Sequence, residues 1–175
     1  MAKINHALLA ATALVALAGC GKKRPPQLPP PPQQQIDPNA GQDGTGATDP
    51  NGAIAPDSDA AFRRDVSSNT ILFGLDQYDI DPAARAILDA QASWLQQHSR
   101  VRITIEGHCD ERGTREYNLA LGDRRANAAK NYLAARGIDP GRMTTISYGK
   151  ERPVALGSDE ESWAQNRRAV TIVLN

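Results

Sequence analysis

Between residues 101 and 137 the hydrophobic pattern of the chain changes period across a short polar turn, and few folds accommodate that change. Apolar residues alternate at Val101, Ile103 and Ile105, as in a strand buried on one face. The alternation runs into Gly107, and the polar turn that follows carries Asp110 and closes at Gly113. Thr114 stands where a helix N-cap belongs, with Glu116 in the first turn, where the helix dipole favours an anion. Gly122, Ala126, Ala129 and Leu133 then recur at helical spacing, a face small and apolar enough to lie on a sheet. Arg136-Gly137 ends the helix with a cation and a residue free to turn left-handed. In open α/β sheets ligands bind beyond the carboxyl ends of strands, and Asp110 falls there.

The same helix geometry places Arg125. Asn118, Arg125 and Tyr132 follow one edge of the apolar face, so the spacing predicts Arg125 at the border between core and solvent. An acceptor-only carboxylate and a forked guanidinium at one rim suit a zwitterion, with its ammonium on Asp110 and its carboxylate on Arg125. Spacing alone favours a plainer arrangement, in which Asp110 and Arg125 pair with each other, or with Arg124 or Asp123, as surface charges.

Around this unit the chain reads as a small mixed domain. A short helix is expected over Ala61–Ser67 and a first strand over Thr70–Leu75, followed by a loop from Asp76 to Ile80. Asp81-Pro82 supplies an N-cap and a proline at the first helical position. Ala84, Ile87, Leu88, Trp94 and Leu95 make the buried face of that helix, which ends near His98; Trp94 reads as core. Met143–Tyr148 reads as a third strand, Gly149–Gly157 as a loop, Glu160–Asn166 as one or two helical turns, and Ala169–Leu174 as the last strand. The order β-α-β-α-β-β predicts an α/β (α+β) domain, a mixed four-stranded sheet with its main helices on one face. Both β–α loops, Asp76–Ile80 and His108–Gly113, are then expected at one end.

His108, Cys109, Asp110 and Glu111 look at first like a catalytic or metal-binding cluster. Neighbouring strand residues point to opposite faces, which separates His108 from Cys109 as a base and nucleophile. The spacing matches no recognised metal set, and no paired-carboxylate glycosidase pattern or serine elbow is evident. The expectation is a protein without metal, cofactor or catalysis, with His108 a turn or sheet-edge residue and Cys109 a half-buried thiol. Twenty basic and twenty acidic side chains balance to zero formal charge, so no field for nucleic acid is indicated.

The N-terminal third differs in kind. Lys3, the apolar run from Ala7 to Ala18 and the sequence Leu17-Ala18-Gly19-Cys20 read as a lipoprotein signal, residues 1–19, cut before Cys20 for acylation there. The apolar run is short for a membrane span. A disulfide between Cys20 and Cys109, the two cysteines, is not expected if Cys20 is acylated. Residues 20–60 read as a tether: they hold nine of the twelve prolines, including Pro29 to Pro32, and almost no large apolar side chain. The folded domain is expected over 61–175.

Several separated motifs carry a family resemblance. Glu106-Gly-His-Cys-Asp-Glu-Arg-Gly113, Glu116-Tyr-Asn118, Leu121-Gly122, Arg124-Arg-Ala-Asn127, Ser147-Tyr-Gly-Lys-Glu-Arg-Pro153 and Asn166-Arg-Arg-Ala-Val170 resemble the signature of the OmpA-like peptidoglycan-binding domain family. Cys109 stands where the family usually has Thr or Ala, which leaves the charged groups intact. The resemblance implies the OmpA-like fold and a ligand, the meso-diaminopimelate of the peptidoglycan stem peptide. It implies that Asp110 takes the ammonium and Arg125 the carboxylate, and it matches Asp76, Tyr78, Asp79 and Leu121 to positions near the same pocket. It also implies an outer-membrane lipoprotein facing the periplasm, since Gly21 rather than Asp follows Cys20, with a place in the Tol–Pal system, TolB as a partner, and a role in envelope constriction at division. Other readings stay open. A wall-processing enzyme would need a catalytic pair, a motor stator or porin would need a membrane helix or barrel strands, and a generic structural lipoprotein would share the anchor without the two-charge pocket.

Overall fold

In the computed structural model the structure describes residues 54–174; the expected signal segment, Cys20 and the tether up to residue 53 lie outside the described residues. The elements are helix α1 (Asp59–Asp65), strand β1 (Thr70–Leu72), helix α2 (Pro82–Gln97), strand β2 (Arg102–His108), helix α3 (Arg115–Ala135), a single 3₁₀ turn (Pro140–Arg142), strand β3 (Met143–Gly149), helix α4 (Glu160–Asn166) and strand β4 (Arg168–Leu174). The strands form one sheet in the order β1-β4-β2-β3. β2 and β3 are parallel, and β4 lies antiparallel to both β2 and β1. This is the mixed sheet that the alternation of periods predicts.

The caps are where the sequence puts them. The Asp81 side chain accepts the Ala84 N–H at 2.7 Å, and Thr114 accepts that of Tyr117 at 3.2 Å. Gly137 closes α3 with φ at +91°. α1 starts at Asp59, two residues before the expected start, because the Ser58 hydroxyl caps it through the Ala61 N–H and Asp59 then takes the Val173 N–H of β4 at 3.0 Å.

The inward row of the sheet is Ile71, Ile103, Ile105, Met143, Ala169 and Val173, all buried. Leu88, Ala92 and Leu95 of α2 and Ala126, Ala129 and Leu133 of α3 complete the same core, with Phe62 of α1 and Trp94 meeting edge to face at 5.0 Å. Trp94 is therefore core, as its spacing predicts. The opposite face of the sheet carries Leu72, Ile146 and Leu174 in exposed positions. Arg142 pins one end of the layers by donating to the carbonyls of Leu95, His98 and Val101, where α2 ends and β2 begins.

β1 stops at Leu72 instead of running to Leu75. The Gln77 N–H turns back to the Gly74 carbonyl at 3.2 Å, and Asp76 adopts a left-handed conformation, φ +55°, so the segment leaves the sheet as a tight turn. That turn brings two carbonyls within reach of α3.

Candidate functional site

The topology gathers one end of the sheet. Leu72 at the end of β1 faces Arg168 at the start of β4, Gly107 near the end of β2 faces Ala169, and His108 faces Gly149 at the end of β3. The loops after β1 and β2 and the approach to β4 therefore meet there. Between them is a cleft of about 300 Å³, lined among others by Asp76, Asp110, Arg112, Leu121, Arg125 and Arg167.

Asp110 is placed by a bulge: the β2–β3 register shifts between Gly107 and His108, and the Cys109 N–H goes to the Gly149 carbonyl at 2.7 Å. Asn118, buried on α3, holds the loop from the other side by donating to the carbonyls of Arg112 and Thr114. The Asp110 carboxylate accepts from the backbone and side chain of Arg112 and from Arg167, whose Nη1 lies 3.5 Å away. Burial alone would raise its pKa, but the hydrogen bonds from Arg112 and Arg167 outweigh it and hold Asp110 below the usual carboxylate range. The pairings predicted from spacing do not occur among the described residues: Asp110 pairs with Arg112 and Arg167 instead of Arg125 or Arg124, and Arg125 donates to backbone carbonyls instead of Asp123.

Arg125 is not at the core–solvent border. It is fully buried and donates to three backbone carbonyls, those of Gln77 at 2.8 Å, His108 at 2.8 Å and Gly74 at 3.0 Å. The difference arises because α3 lies close enough to β2 for the side chain to reach both the end of that strand and the loop after β1. A guanidinium has five N–H donors, so two remain beyond these three bonds, and Arg125 is among the residues that line the cleft. Burial pushes the Arg125 guanidinium down from its ordinary value, which the charge of nearby Asp110 opposes.

Of the other expected positions, Asp76 and Leu121 line the cleft. Asp76 accepts from the Tyr117 hydroxyl at 3.1 Å, which ties the loop after β1 to the first turn of α3. Tyr78 and Asp79 do not line it. Tyr78 is exposed, with the Arg124 guanidinium 5.9 Å from its ring, and Asp79 is exposed on the same loop. Arg112, Arg167, Leu75 and Tyr117 line the cleft without having been singled out as site residues. Arg167 was findable: it immediately precedes a strand antiparallel to β2, so it had to lie at the end where β2 finishes.

His108 and Cys109 are buried, not an edge residue and a half-exposed thiol, because β2 lies between β4 and β3. They point apart. Cys109 Sγ donates to the Asn118 carbonyl at 3.3 Å, and burial pushes its thiol up. The His108 ring stacks on Tyr148 and places Nε2 3.4 Å from Glu106. Among the described residues no three His, Cys, Asp or Glu side chains converge as metal ligands would.

An open mixed sheet covered on one face, with its charged cleft beyond the ends of the parallel strands, defines a class of small domain built to hold a ligand at a loop rim. The chain belongs to the OmpA family, which it matches over residues 72–167. It is similar over nearly its whole length to the peptidoglycan-associated lipoprotein of Rhizobium meliloti (strain 1021), 46% identical over 169 residues that cover 97% of this chain and 88% of the relative. It is 48% identical over 159 residues to that of Brucella melitensis biotype 1, covering 91% of this chain and 86% of the relative. The crystal structure of the peptidoglycan-associated lipoprotein from Burkholderia pseudomallei is 44% identical, with a TM-score of 0.60 over 62% of this chain and 92% of that one.

Proposed function

We propose that the chain is an outer-membrane lipoprotein that holds peptidoglycan noncovalently in the cleft at the end of β2, taking the meso-diaminopimelate of the stem peptide. The observation that carries the reading is that one cleft presents both Asp110 and Arg125 in a chain whose relatives are named for association with peptidoglycan. The free D-centre of diaminopimelate carries an ammonium and a carboxylate. Asp110 receives the first and the remaining N–H groups of Arg125 the second. Asp76 and Leu121 complete the walls, while Tyr78 and Asp79 lie exposed outside them. The protein is a binder and not an enzyme. The separation of the Cys109 thiol from the His108 ring supports this, since it leaves no activated nucleophile beside the cleft.

The full arrangement is lipid on Cys20 in the outer membrane, a tether, and a periplasmic domain on the wall, working with TolB in the Tol–Pal system during envelope constriction. Diacylation of the Cys20 thiol and acylation of its new N-terminus would give three acyl chains, more than stable anchoring requires.

The test is a pulldown with purified sacculi alongside an assay for released muropeptides. Retention without release is expected. Asp110→Ala should weaken retention at least about tenfold, as truncating one member of a desolvated charge pair does. Arg115→Ala, at an exposed side chain paired with Glu151, should change it little. Equal small effects from both substitutions would overturn the assignment of the cleft. Cys20→Ser should remove the protein from the outer-membrane fraction, and unchanged fractionation with no fatty-acid label on the wild type would defeat the anchor.

A further inference from the structure

The carboxylate assigned to the ligand's ammonium is already occupied. The Asp110 side chain is 7% exposed, whereas that of Arg112, which covers it, is 35% exposed. Arg112 donates Nη2 to Oδ2 at 2.6 Å and Nε to Oδ1 at 3.2 Å, a forked cation in the place an ammonium would take. A ligand arriving from solvent meets Arg112 first.

The surroundings hold the backbone of Arg112 and leave its side chain a second resting place. Its N–H caps Asp110 Oδ1 at 3.1 Å, and its carbonyl is fixed by Asn118 at 2.7 Å. Lys150 secures the carbonyls on either side, those of Glu111 and Gly113. The guanidinium lies 4.0 Å over the Trp163 ring, whose indole N–H is fixed by Glu111 at 3.0 Å. Beyond it, 4.0 Å from Arg112 Nη1, is the exposed carboxylate of Glu160. Arg112 can thus leave Asp110 while keeping a cation–π partner and an acidic one. Arg167 cannot leave in the same way, since it is buried and also donates to the Phe73 carbonyl.

We propose that Arg112 is a built-in competitor for the ligand's ammonium: its guanidinium occupies Asp110 in the free protein, and binding displaces it along Trp163 toward Glu160. The proposal rests on the diaminopimelate reading of the cleft and adds a specificity element to it. Only a ligand whose cation outcompetes a preformed fork gains Asp110, so a wall peptide without that ammonium finds the carboxylate closed. The apparent affinity is lowered by the fraction of molecules in which Arg112 has swung away.

The experiment is titration calorimetry on the full chain in detergent with two synthetic probes. One is the stem tripeptide ending in meso-diaminopimelate. The other carries 2-aminopimelate in its place and lacks only the D-centre ammonium. Arg112→Ala should bind the first about two- to fivefold more tightly than wild type, the range expected when a partly exposed ion pair no longer competes. It should show no gain for the second, a difference that a purely structural role would not produce. Arg112→Lys, which keeps the cation but loses the fork, should give a smaller gain and serves if the alanine variant does not fold. Unchanged or weaker binding of the first probe by Arg112→Ala and Arg112→Lys, with Asp110→Asn still strongly impaired, would overturn the proposal and leave the cleft assignment standing. Equal binding by wild type and Asp110→Asn would remove both.

Discussion

Gly107 of β2 and Gly122 of α3 meet backbone to backbone: a Cβ placed on Gly107 would run into the Gly122 carbonyl, and one placed on Gly122 would come within 2.9 Å of the Gly107 carbonyl oxygen. This approach seats α3 on the strand and lets Arg125, one turn further on, reach the His108 carbonyl. Gly107→Ala should destabilise the domain by about 1–3 kcal/mol or more, as overpacking against rigid atoms does. Gly122→Ala also collides with the Ser147 hydroxyl, which can rotate, and should cost less. Urea denaturation of both variants checks the order, and equal midpoints would show that the helix shifts freely.

Among the described residues, Arg125→Ala removes the only side-chain donors on three carbonyls, two in the loop after β1 and one at the end of β2. Hydrogen bonds to a charged donor contribute about 1.5–3 kcal/mol each, and buried acceptors left unpaired cost a comparable amount. A loss of at least ~3 kcal/mol is expected. Arg125→Lys should recover little of it, because one ammonium cannot span the fork. Denaturation midpoints within ~1 kcal/mol of wild type would show that water replaces the guanidinium. Loss of wall binding in Arg125→Ala is therefore informative only beside a measure of folding, whereas Asp110→Ala tests the ligand contact more directly.

The elements were legible because they follow from periods and caps carried by single stretches: Val101–Ile105 as a strand, Thr114 as an N-cap, Gly137 as a terminator. Sequence also indicated that Asp110 and the loop after β1 share one end of the sheet. What it could not supply was depth. Helical spacing fixes the direction of Arg125 but not the distance from α3 to β2, and the Gly107–Gly122 approach turns an expected rim residue into a buried one. The same holds for His108, whose burial depends on β4 inserting between β1 and β2, a pairing set far along the chain. Arg112 was visible inside the Asp110 motif, but its partner could be decided only by the turn that folds it back.

His108 makes stability depend on pH. Burial lowers its pKa, Arg168 and Arg152 act in the same direction, and Glu106 opposes them. The Tyr148 ring stacks on the His108 ring from β3. Nδ1 is buried without a hydrogen-bond partner, so the neutral ring with its proton on Nε2, toward Glu106, is the form that fits. The unfolded chain protonates this histidine near pH ~6.5, while the folded chain does so only at lower pH. Below that point the unfolded state binds more protons, so stability falls as pH drops through ~6.5 until the folded pKa is reached. Thermal denaturation from pH 7.5 to 5 should show a shallower decline for His108→Gln than for wild type. Parallel declines would assign the pH dependence to other groups.

Asp76 is the one non-glycine residue with positive φ among the described residues, and it lies in the cleft wall. A left-handed conformation costs roughly 1–2 kcal/mol for an ordinary side chain, less for Asp, and such strain tends to gather at functional sites. The carboxylate does little for the fold: among the described residues its one hydrogen bond is with the exposed Tyr117 hydroxyl. Asp76→Gly should therefore keep stability within ~1 kcal/mol of wild type or raise it, since glycine enters this region freely. Asp76→Val, forced into the same φ, should lose ~1–2 kcal/mol. Under the proposed function both should bind sacculi more weakly, because both lack the second acidic group of the cleft. Urea midpoints and sacculus retention on the same three proteins separate the two effects. If Asp76→Gly loses as much stability as Asp76→Val, the carboxylate supports the fold; if it binds as wild type does, the ligand site does not extend to the loop after β1.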